Sequence, residues 1–200
     1  MNCKKEKPNN CDETQEKKLS PTKCENLIYF WCSIDSETIL TLVKNMKEIS
    51  SELNNQEFSL GLANNTIPIR LSINSDGGNI RDALYAYDFI SNQKRLVDTY
   101  ICGSCFSAAT FISLAGNRRF ISPSSHVLIH QLSMESWGTF TQVQDDITNS
   151  SLLMRKAKDI YKNRTNMSTK IISSLLKRDL TLSAEECIKY GYCDEIKIIN

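Results

Sequence analysis

The sequence predicts an α/β fold, in which helices cover a parallel sheet. Three observations lead to this prediction. Short apolar segments of strand length alternate with segments whose apolar residues recur at helical spacing. Glycine or proline turns separate several of these segments. Near the middle of the chain, a strand-like segment turns sharply into a helix of small residues. Strands that alternate with helices favour parallel pairing through right-handed crossovers.

Each element is predicted from its own pattern. Period-two alternation or a short apolar run indicates a strand, and apolar residues on one helical face indicate a helix. Ser183 and Glu186 have the spacing of a capping box, which predicts the start of the last helix. In chain order we predict a strand at 27–31, a helix starting near 33–37 and passing 46, a polar loop at 54–66, a strand at 68–73, a helix at 79–93, a strand at 96–102, a helix at 106–115, a strand at 125–131, helices at 139–163, 169–177 and 183–191, and a strand at 193–199.

The length of 200 residues fits one domain with a sizeable core. Residues 1–24 are rich in Lys, Glu, Asn, Thr and Pro, with little to bury, so we expect a flexible polar tail there. Residues 25–200 should form the single domain. The pattern shows no internal repeat and no second domain.

Charge and hydropathy restrict the classes of partner. The formal net charge is +1, which gives no reason to expect nucleic acid or an anionic membrane surface. No apolar run approaches the length of about 20 residues that spans a bilayer. The first residues lack the apolar stretch of a signal peptide. We therefore expect a cytoplasmic protein that binds neither nucleic acid nor membrane.

The eight cysteines raise the question of metal or disulfide sites. Cys102 and Cys105 have the two-residue spacing of a zinc or redox pair, but no second pair lies at a suitable distance. Free cysteine is commonly buried as a small apolar residue in cytosolic proteins. We expect reduced thiols and no metal.

A serine, a histidine and an aspartate occur in an order that suits nucleophilic catalysis. Ser107 follows the predicted strand 96–102 at the start of a helix, where free N–H groups face any developing oxyanion. A hydroxyl nucleophile needs a base, and the base needs a carboxylate that holds its tautomer. The chain has only two histidines, His126 and His130, and Asp179 lies downstream of both.

The residue pattern alone leaves alternatives open for each role. Ser104 is a second hydroxyl in the same turn region, and Asp76 is a second carboxylate, beside Gly77 and Gly78. His126 and His130 are an even number of residues apart, so on a strand they point to the same side.

Four segments of the sequence together resemble the ClpP family of serine peptidases. They are the glycine-ended strand at 72–78, the serine turn at 103–107, the histidine strand at 129–131 and the aspartate region at 178–191. The resemblance implies a ClpP/crotonase-like spiral of parallel-strand ββα units with a protruding handle helix, here at 139–163. It also implies a Ser107, His130 and Asp179 triad, with an oxyanion hole formed by the backbone N–H groups of Gly78 and Ala108.

The resemblance further implies a serine endopeptidase that hydrolyses unfolded proteins and short peptides inside an oligomeric chamber. Such a chamber would be a homo- or hetero-oligomer of stacked heptameric rings. No cofactor is expected, because ATP would be used only by a partner AAA+ unfoldase. The N-terminal segment does not resemble the axial loops of the family. The alternatives are a catalytically silent ring subunit and a crotonase-fold enzyme acting on acyl thioesters.

Overall fold

A computed structural model describes residues 19–199. The strands are β1 Thr22–Cys24, β2 Leu27–Phe30, β3 Ile69–Ser75, β4 Val97–Phe106, β5 Arg118–Ile121, β6 His126–Leu128, β7 Thr181–Leu182 and β8 Glu195–Ile196. The helices are α1 Ser36–Ser59, α2 Ile80–Ser91, α3 Ala109–Leu114, α4 Phe140–Arg164, α5 Thr169–Leu175 and α6 Ala184–Lys189.

These strands form one sheet in the order β1-β2-β3-β4-β5-β8, and β6 branches from β4 and pairs with β7. The pairs β2–β3, β3–β4, β4–β5, β4–β6 and β5–β8 are parallel. Only β1–β2 and β6–β7, at the margins of the described sheet, are antiparallel. The predicted α/β class with a mainly parallel sheet is therefore confirmed.

The long strand β4 determines where the chain enters the candidate site. Its first half pairs with β5 and its second half pairs with β6, so it runs beyond the predicted end at residue 102. The β3–β4 ladder is irregular between the pairs Ile73–Ile101 and Ser75–Cys105, and Gly103 within this stretch has a φ of +124°, which favours glycine. A Cβ atom there would lie 2.6 Å from Oδ1 of Asn74, which accepts a hydrogen bond from the Ser104 N–H. The sequence pattern missed the second half of β4 because its pairing partner is distant in the chain.

Helix α1 also extends further than predicted. The sequence pattern predicts a polar loop at 54–66, but α1 continues to Ser59. Glu57 faces the interior, where its carboxylate lies 2.7 Å from the Arg95 guanidinium, and both side chains are fully buried. A buried carboxylate is stable only when paired. The partner that makes Glu57 an interior residue lies 38 positions away.

The predicted tail is only partly within the described residues. The prediction placed residues 1–24 in a flexible tail, but Thr22–Cys24 form β1 and pair with β2. Lys23 Nζ lies 2.9 Å from carboxylate oxygens of Glu48 and Glu52 on α1, which anchors this strand. Residues 1–18 lie outside the described residues. The division into tail and domain stays a prediction.

Helix α4 corresponds to the predicted handle. It begins with a capping box at Thr139 and is 25 residues long. Its buried residues are Ala157, Ile160 and Tyr161, all in its last third, whereas Phe140, Ile147 and Leu152 are exposed. The first part of the helix therefore protrudes from the body. Among residues 19–199, no helix is both long enough and apolar enough to cross a membrane.

Candidate active site

Ser107 occupies a sharp turn between β4 and α3. Its φ is +55°, in the left-handed region that costs a residue with a side chain on the order of 1–3 kcal/mol. Both of its backbone groups are held, since its N–H donates to Leu128 O (2.8 Å) and its carbonyl accepts from the Thr110 N–H (3.1 Å). The sequence pattern predicts that Ser107 lies in the first turn of a helix at 106–115. This was wrong because β4 pairs with β6 as far as Phe106, which delays the helix to Ala109.

The turn at Gly77 and Gly78 packs directly against Ser107. Both glycines have positive φ values, +99° and +144°. A Cβ atom on Gly77 would lie 2.8 Å from both the Phe106 carbonyl oxygen and the Ser107 Cβ. A Cβ atom on Gly78 would lie 2.2 Å from the carbonyl oxygen of Ile34. Only glycine allows this close approach of three backbone segments.

Two backbone donors remain available beside Ser107. Within residues 19–199, neither the Gly78 N–H nor the Ala108 N–H donates to a protein acceptor. Gly78 is instead held by its neighbours, since Ile34 N–H donates to Gly77 O (2.8 Å) and Asn79 N–H donates to Ile34 O (2.9 Å). Preorganised donors that face one point can stabilise a developing oxyanion.

His130 lies two residues beyond the end of β6, next to Asp179. Its Nδ1 is 3.3 Å from Asp179 Oδ1. The Gln131 N–H donates to Leu176 O at 3.0 Å, which ties the histidine segment to the end of α5 and brings the following loop beside the ring. The Asp179 side chain is 82% exposed and the His130 side chain 25% exposed. A carboxylate in this position can hold the imidazole tautomer.

A cleft of about 110 Å³ brings most of the predicted site residues together. Gly78, Ser107, Ala108 and His130 all line it, and Asp179 contacts His130. Across residues 19–199, no hydrogen bond within 3.5 Å joins the Ser107 hydroxyl to the His130 ring. Such bonds are often long before a substrate is present. The remaining wall is mostly apolar, formed by Ile80, Phe111, Gln131, Leu132, Ser133, Met154, Ala157 and Tyr161.

The rival residues of the sequence pattern lie elsewhere. Ser104 is in the strand β4, not in the turn where it was predicted, and it pairs with His126 on β6. His126 and Asp76 are exposed. None of the three lines the cleft. The structure thus separates the two serines and the two histidines that the pattern left open.

Two buried hydroxyls near Ser107 were not singled out from the sequence. The Thr110 hydroxyl donates to Ser107 O, and the Tyr161 hydroxyl lies 2.7 Å from Thr110 Oγ1. Tyr161 lies with Ala157 and Ile160 on the buried face of α4. The helical spacing of these three residues is the sequence feature that could have indicated that Tyr161 is buried.

The six cysteines in the described part of the chain are free thiols. Cys105 is buried, which raises the pKa of its thiol to about 12 and keeps it protonated. Cys102, its partner in the predicted spacing, is half-buried. Within residues 19–199, no group of three His, Cys, Asp or Glu side chains is arranged to hold a metal ion.

The sequence matches the family model described as Clp protease over residues 25–199. The chain belongs to the Clp protease family. The resemblance noted from the four segments is therefore confirmed, and the chain is a member of a peptidase family of hydrolases.

Curated proteins similar in sequence to this chain include proteolytic subunits of ATP-dependent Clp proteases. The subunit of Chlorella vulgaris is 30% identical over 158 residues, which cover 76% of this chain and 79% of the relative. The subunit of Streptococcus mutans is 34% identical over 142 residues, which cover 68% and 72%. A solved structure of a ClpP1 mutant from Listeria monocytogenes has a TM-score of 0.74 at 24% identity and covers 88% of this chain and 92% of that one. This similarity confirms the predicted ClpP fold.

Proposed function

We propose that this chain is a serine endopeptidase in which Ser107, His130 and Asp179 form the catalytic triad. The Ser107 hydroxyl attacks the peptide carbonyl carbon while His130 takes its proton, and Asp179 stabilises the imidazolium. The oxyanion accepts hydrogen bonds from the Gly78 and Ala108 N–H groups. His130 then protonates the leaving amine, and water hydrolyses the acyl-enzyme by the same route.

One observation carries this proposal. Two unoccupied backbone donors, a serine in a sharp turn and a histidine with a carboxylate partner all meet at one cleft. A silent subunit would need none of these groups together. An enzyme that stabilises a thioester enolate would use the two glycines. It would not need a serine whose backbone N–H and carbonyl are both fixed by hydrogen bonds, as those of Ser107 are.

The proposed reaction needs no cofactor on this chain. A hydroxyl, an imidazole and water supply every proton and nucleophile of the hydrolysis. The relatives are named as subunits of ATP-dependent proteases. We therefore expect ATP to be consumed by a partner AAA+ unfoldase that delivers unfolded proteins, while short peptides enter unaided.

The proposed assembly is a closed oligomer of stacked heptameric rings, formed by this chain alone or with a related chain. The protruding part of α4 exposes Phe140, Ile147 and Leu152, which are 82%, 54% and 58% accessible. Large apolar side chains exposed along one helix favour an interface with another subunit. Enclosure would also keep the exposed Asp179 from bulk solvent and prevent cleavage of folded proteins.

The test of the triad is labelling by a fluorophosphonate with mapping of the modified peptide. We expect the label on Ser107, and we expect Ser107→Ala to lower peptide turnover by about 10⁴–10⁶-fold. Ser104→Ala is the matched control and should keep activity. Labelling of Ser104, or absence of labelling together with absence of peptide hydrolysis, would contradict the proposal.

Assembly is tested separately by light scattering. Ile147→Asp places a charge in the proposed interface, where an unpaired buried charge is costly. Asn149→Asp introduces the same charge at an exposed polar position of α4 two residues away. We expect only the first variant to dissociate the oligomer. A fully active monomeric wild-type chain would exclude the chamber.

A further inference from the structure

The peptide bond between Ser107 and Ala108 connects two functional groups. Peptide units are planar, and no bond among the described residues is cis, so the carbonyl and the N–H of this unit point in opposite directions. The N–H belongs to Ala108, one of the two proposed oxyanion donors. Any contact that fixes the Ser107 carbonyl therefore also fixes the direction of this donor.

The Ser107 carbonyl oxygen accepts two hydrogen bonds from one residue. Thr110 donates its N–H at 3.1 Å and its side-chain hydroxyl at 2.5 Å. The hydroxyl is fully buried, so water does not compete for it. The carbonyl is thus held from two directions, which restricts rotation of the Ser107–Ala108 unit more than one bond would.

Tyr161 supports the Thr110 hydroxyl from a different helix. A threonine hydroxyl has one proton, which Thr110 gives to Ser107, so the Tyr161 hydroxyl at 2.7 Å must be the donor to Thr110 Oγ1. Burial raises the pKa of Tyr161, so this proton stays bound at working pH. Linked hydrogen bonds in a low-dielectric interior polarise and strengthen one another.

We propose that Thr110 and Tyr161 are positioning residues that aim the Ala108 N–H at the oxyanion. They form a chain of hydrogen bonds from α4 to the Ser107–Ala108 peptide and act through that peptide. This role rests on the proposed serine peptidase function and specifies how one half of its oxyanion hole is held.

A second buried tyrosine provides a matched control. Tyr192 is 1% exposed and Tyr161 2% exposed, and both hydroxyls contact Thr110. Tyr192, however, donates to the backbone carbonyl of Thr110 at 3.2 Å and contacts the Ser113 hydroxyl. It has no bond to the Thr110 side chain. Tyr161→Phe and Tyr192→Phe therefore each remove one buried hydroxyl, but only the first breaks the chain to Ser107. Because Tyr161 also lines the cleft and Tyr192 does not, KM is compared for the two variants as a check on substrate binding.

The experiment measures kcat and KM for a short fluorogenic peptide. Thr110→Val keeps the side-chain shape and the backbone bond but removes the hydroxyl, so we expect kcat to fall by about 10–100-fold, less than the 10²–10³ for loss of an oxyanion donor, with KM nearly unchanged. Tyr161→Phe should lower kcat by about 3–10-fold, because Thr110 still donates to Ser107. Thr110→Ser should restore the wild-type kcat, and Tyr192→Phe should retain it.

The double variant Thr110→Val/Tyr161→Phe separates positioning from stability. Thr110→Val alone leaves a buried tyrosine hydroxyl without its partner and lowers the melting temperature, whereas removal of both partners is close to neutral. We expect the double variant to recover melting temperature but not kcat. Recovery of both, or a folded Thr110→Val variant with wild-type kcat, would overturn the inference. In either case, fluorophosphonate labelling of wild-type Ser107 reports on the proposed function independently.

Discussion

The two halves of the candidate site are built in different ways. In the first half, the Ser107 N–H donates to Leu128 O (2.8 Å) and the Ser107 carbonyl accepts from the Thr110 N–H (3.1 Å). The turn also packs so closely against Gly77 that a Cβ atom on Gly77 would not fit. On the other side, the Gln131 N–H bond to Leu176 O holds the backbone next to His130, but the His130 ring has only a 3.3 Å contact to a carboxylate that is 82% exposed. The Ser107 half is therefore preformed by the body of the protein. The His130 half is held less tightly, because the carboxylate that contacts its ring is largely exposed.

The sheet explains this difference. Ser107 lies where β3, β4 and β6 end together, so the ladders of three strands fix its surroundings. Asp179 instead lies between α5 and the two-residue strand β7. Short peripheral segments have few backbone bonds and open locally at low cost. We therefore expect substitutions around Ser107 to disturb the local fold as well as turnover. Substitutions at His130 and Asp179 should change turnover and leave the fold intact.

The largest effect is expected at His130, the proposed base. His130→Ala should lower turnover of a peptide by about 10⁶-fold, because a serine hydroxyl is a weak nucleophile without a base. His126→Ala is the control, since His126 is exposed on β6 and does not line the cleft. It should keep wild-type kcat. Equal losses in the two variants would remove the distinction between the histidines.

A smaller loss is expected at the carboxylate. Asp179→Asn should lower turnover by up to about 10⁴-fold, because the amide no longer stabilises the imidazolium or its tautomer. The protein should remain folded, since the Asp179 side chain is largely exposed. The kcat of this variant is compared with that of His130→Ala in one assay. A loss as large as that of His130→Ala would show that the contact is as essential as the base itself.

The sequence predicted the parts of the site whose signals are local. Glycine at positions 77 and 78, the small residues after Ser107 and the scarcity of histidine all stand in short segments. These segments carried the resemblance to the family. The helix boundaries set by caps, such as Asn79, Thr139 and Ser183, also agree with the structure.

The missed features depend on partners far away in the chain. The second half of β4 requires β6, and the buried end of α1 requires Arg95. The support of Ser107 by Thr110 and Tyr161 requires α4 to pack against α3. Periodicity describes one segment at a time, so it cannot reveal a contact that only tertiary packing creates.

An intermediate effect is expected in the preformed half at Gly77. Gly77→Ala would bring a Cβ atom to 2.8 Å from Phe106 O and Ser107 Cβ, so the turn must move. We expect kcat to fall by about 10²–10³-fold, similar to loss of an oxyanion donor. Gly61→Ala is the control, because Gly61 also has a positive φ (+67°) but nothing lies within 4 Å of its added Cβ. That variant should lose only about 1–2 kcal/mol of stability and keep its kcat. Wild-type kcat in folded Gly77→Ala would show that the turn is not tightly constrained.

The smallest effect on turnover is expected just before the start of β4, where Arg95 forms the buried ion pair with Glu57 of α1. The Arg95 guanidinium, with the Ile67 and Asn65 N–H groups, lowers the pKa of Glu57 from 4.5 to about 2. Because the folded pKa lies below the unfolded one, this carboxylate stabilises the fold fully above about pH 4.5 and loses that contribution as pH falls towards 2.

Glu57→Gln should therefore lower the free energy of unfolding at pH 7 and flatten its decline between pH 4.5 and 2. Urea unfolding across that range measures both, with the exposed Glu135→Gln as the control. The kcat of the folded variant at pH 7 should remain that of the wild type, because the ten residues of β4 lie between Arg95 and the Ser107 turn. A clear loss of kcat without unfolding would show that strain at the start of β4 reaches Ser107, and the preformed half would then depend on the whole strand rather than on its last residues.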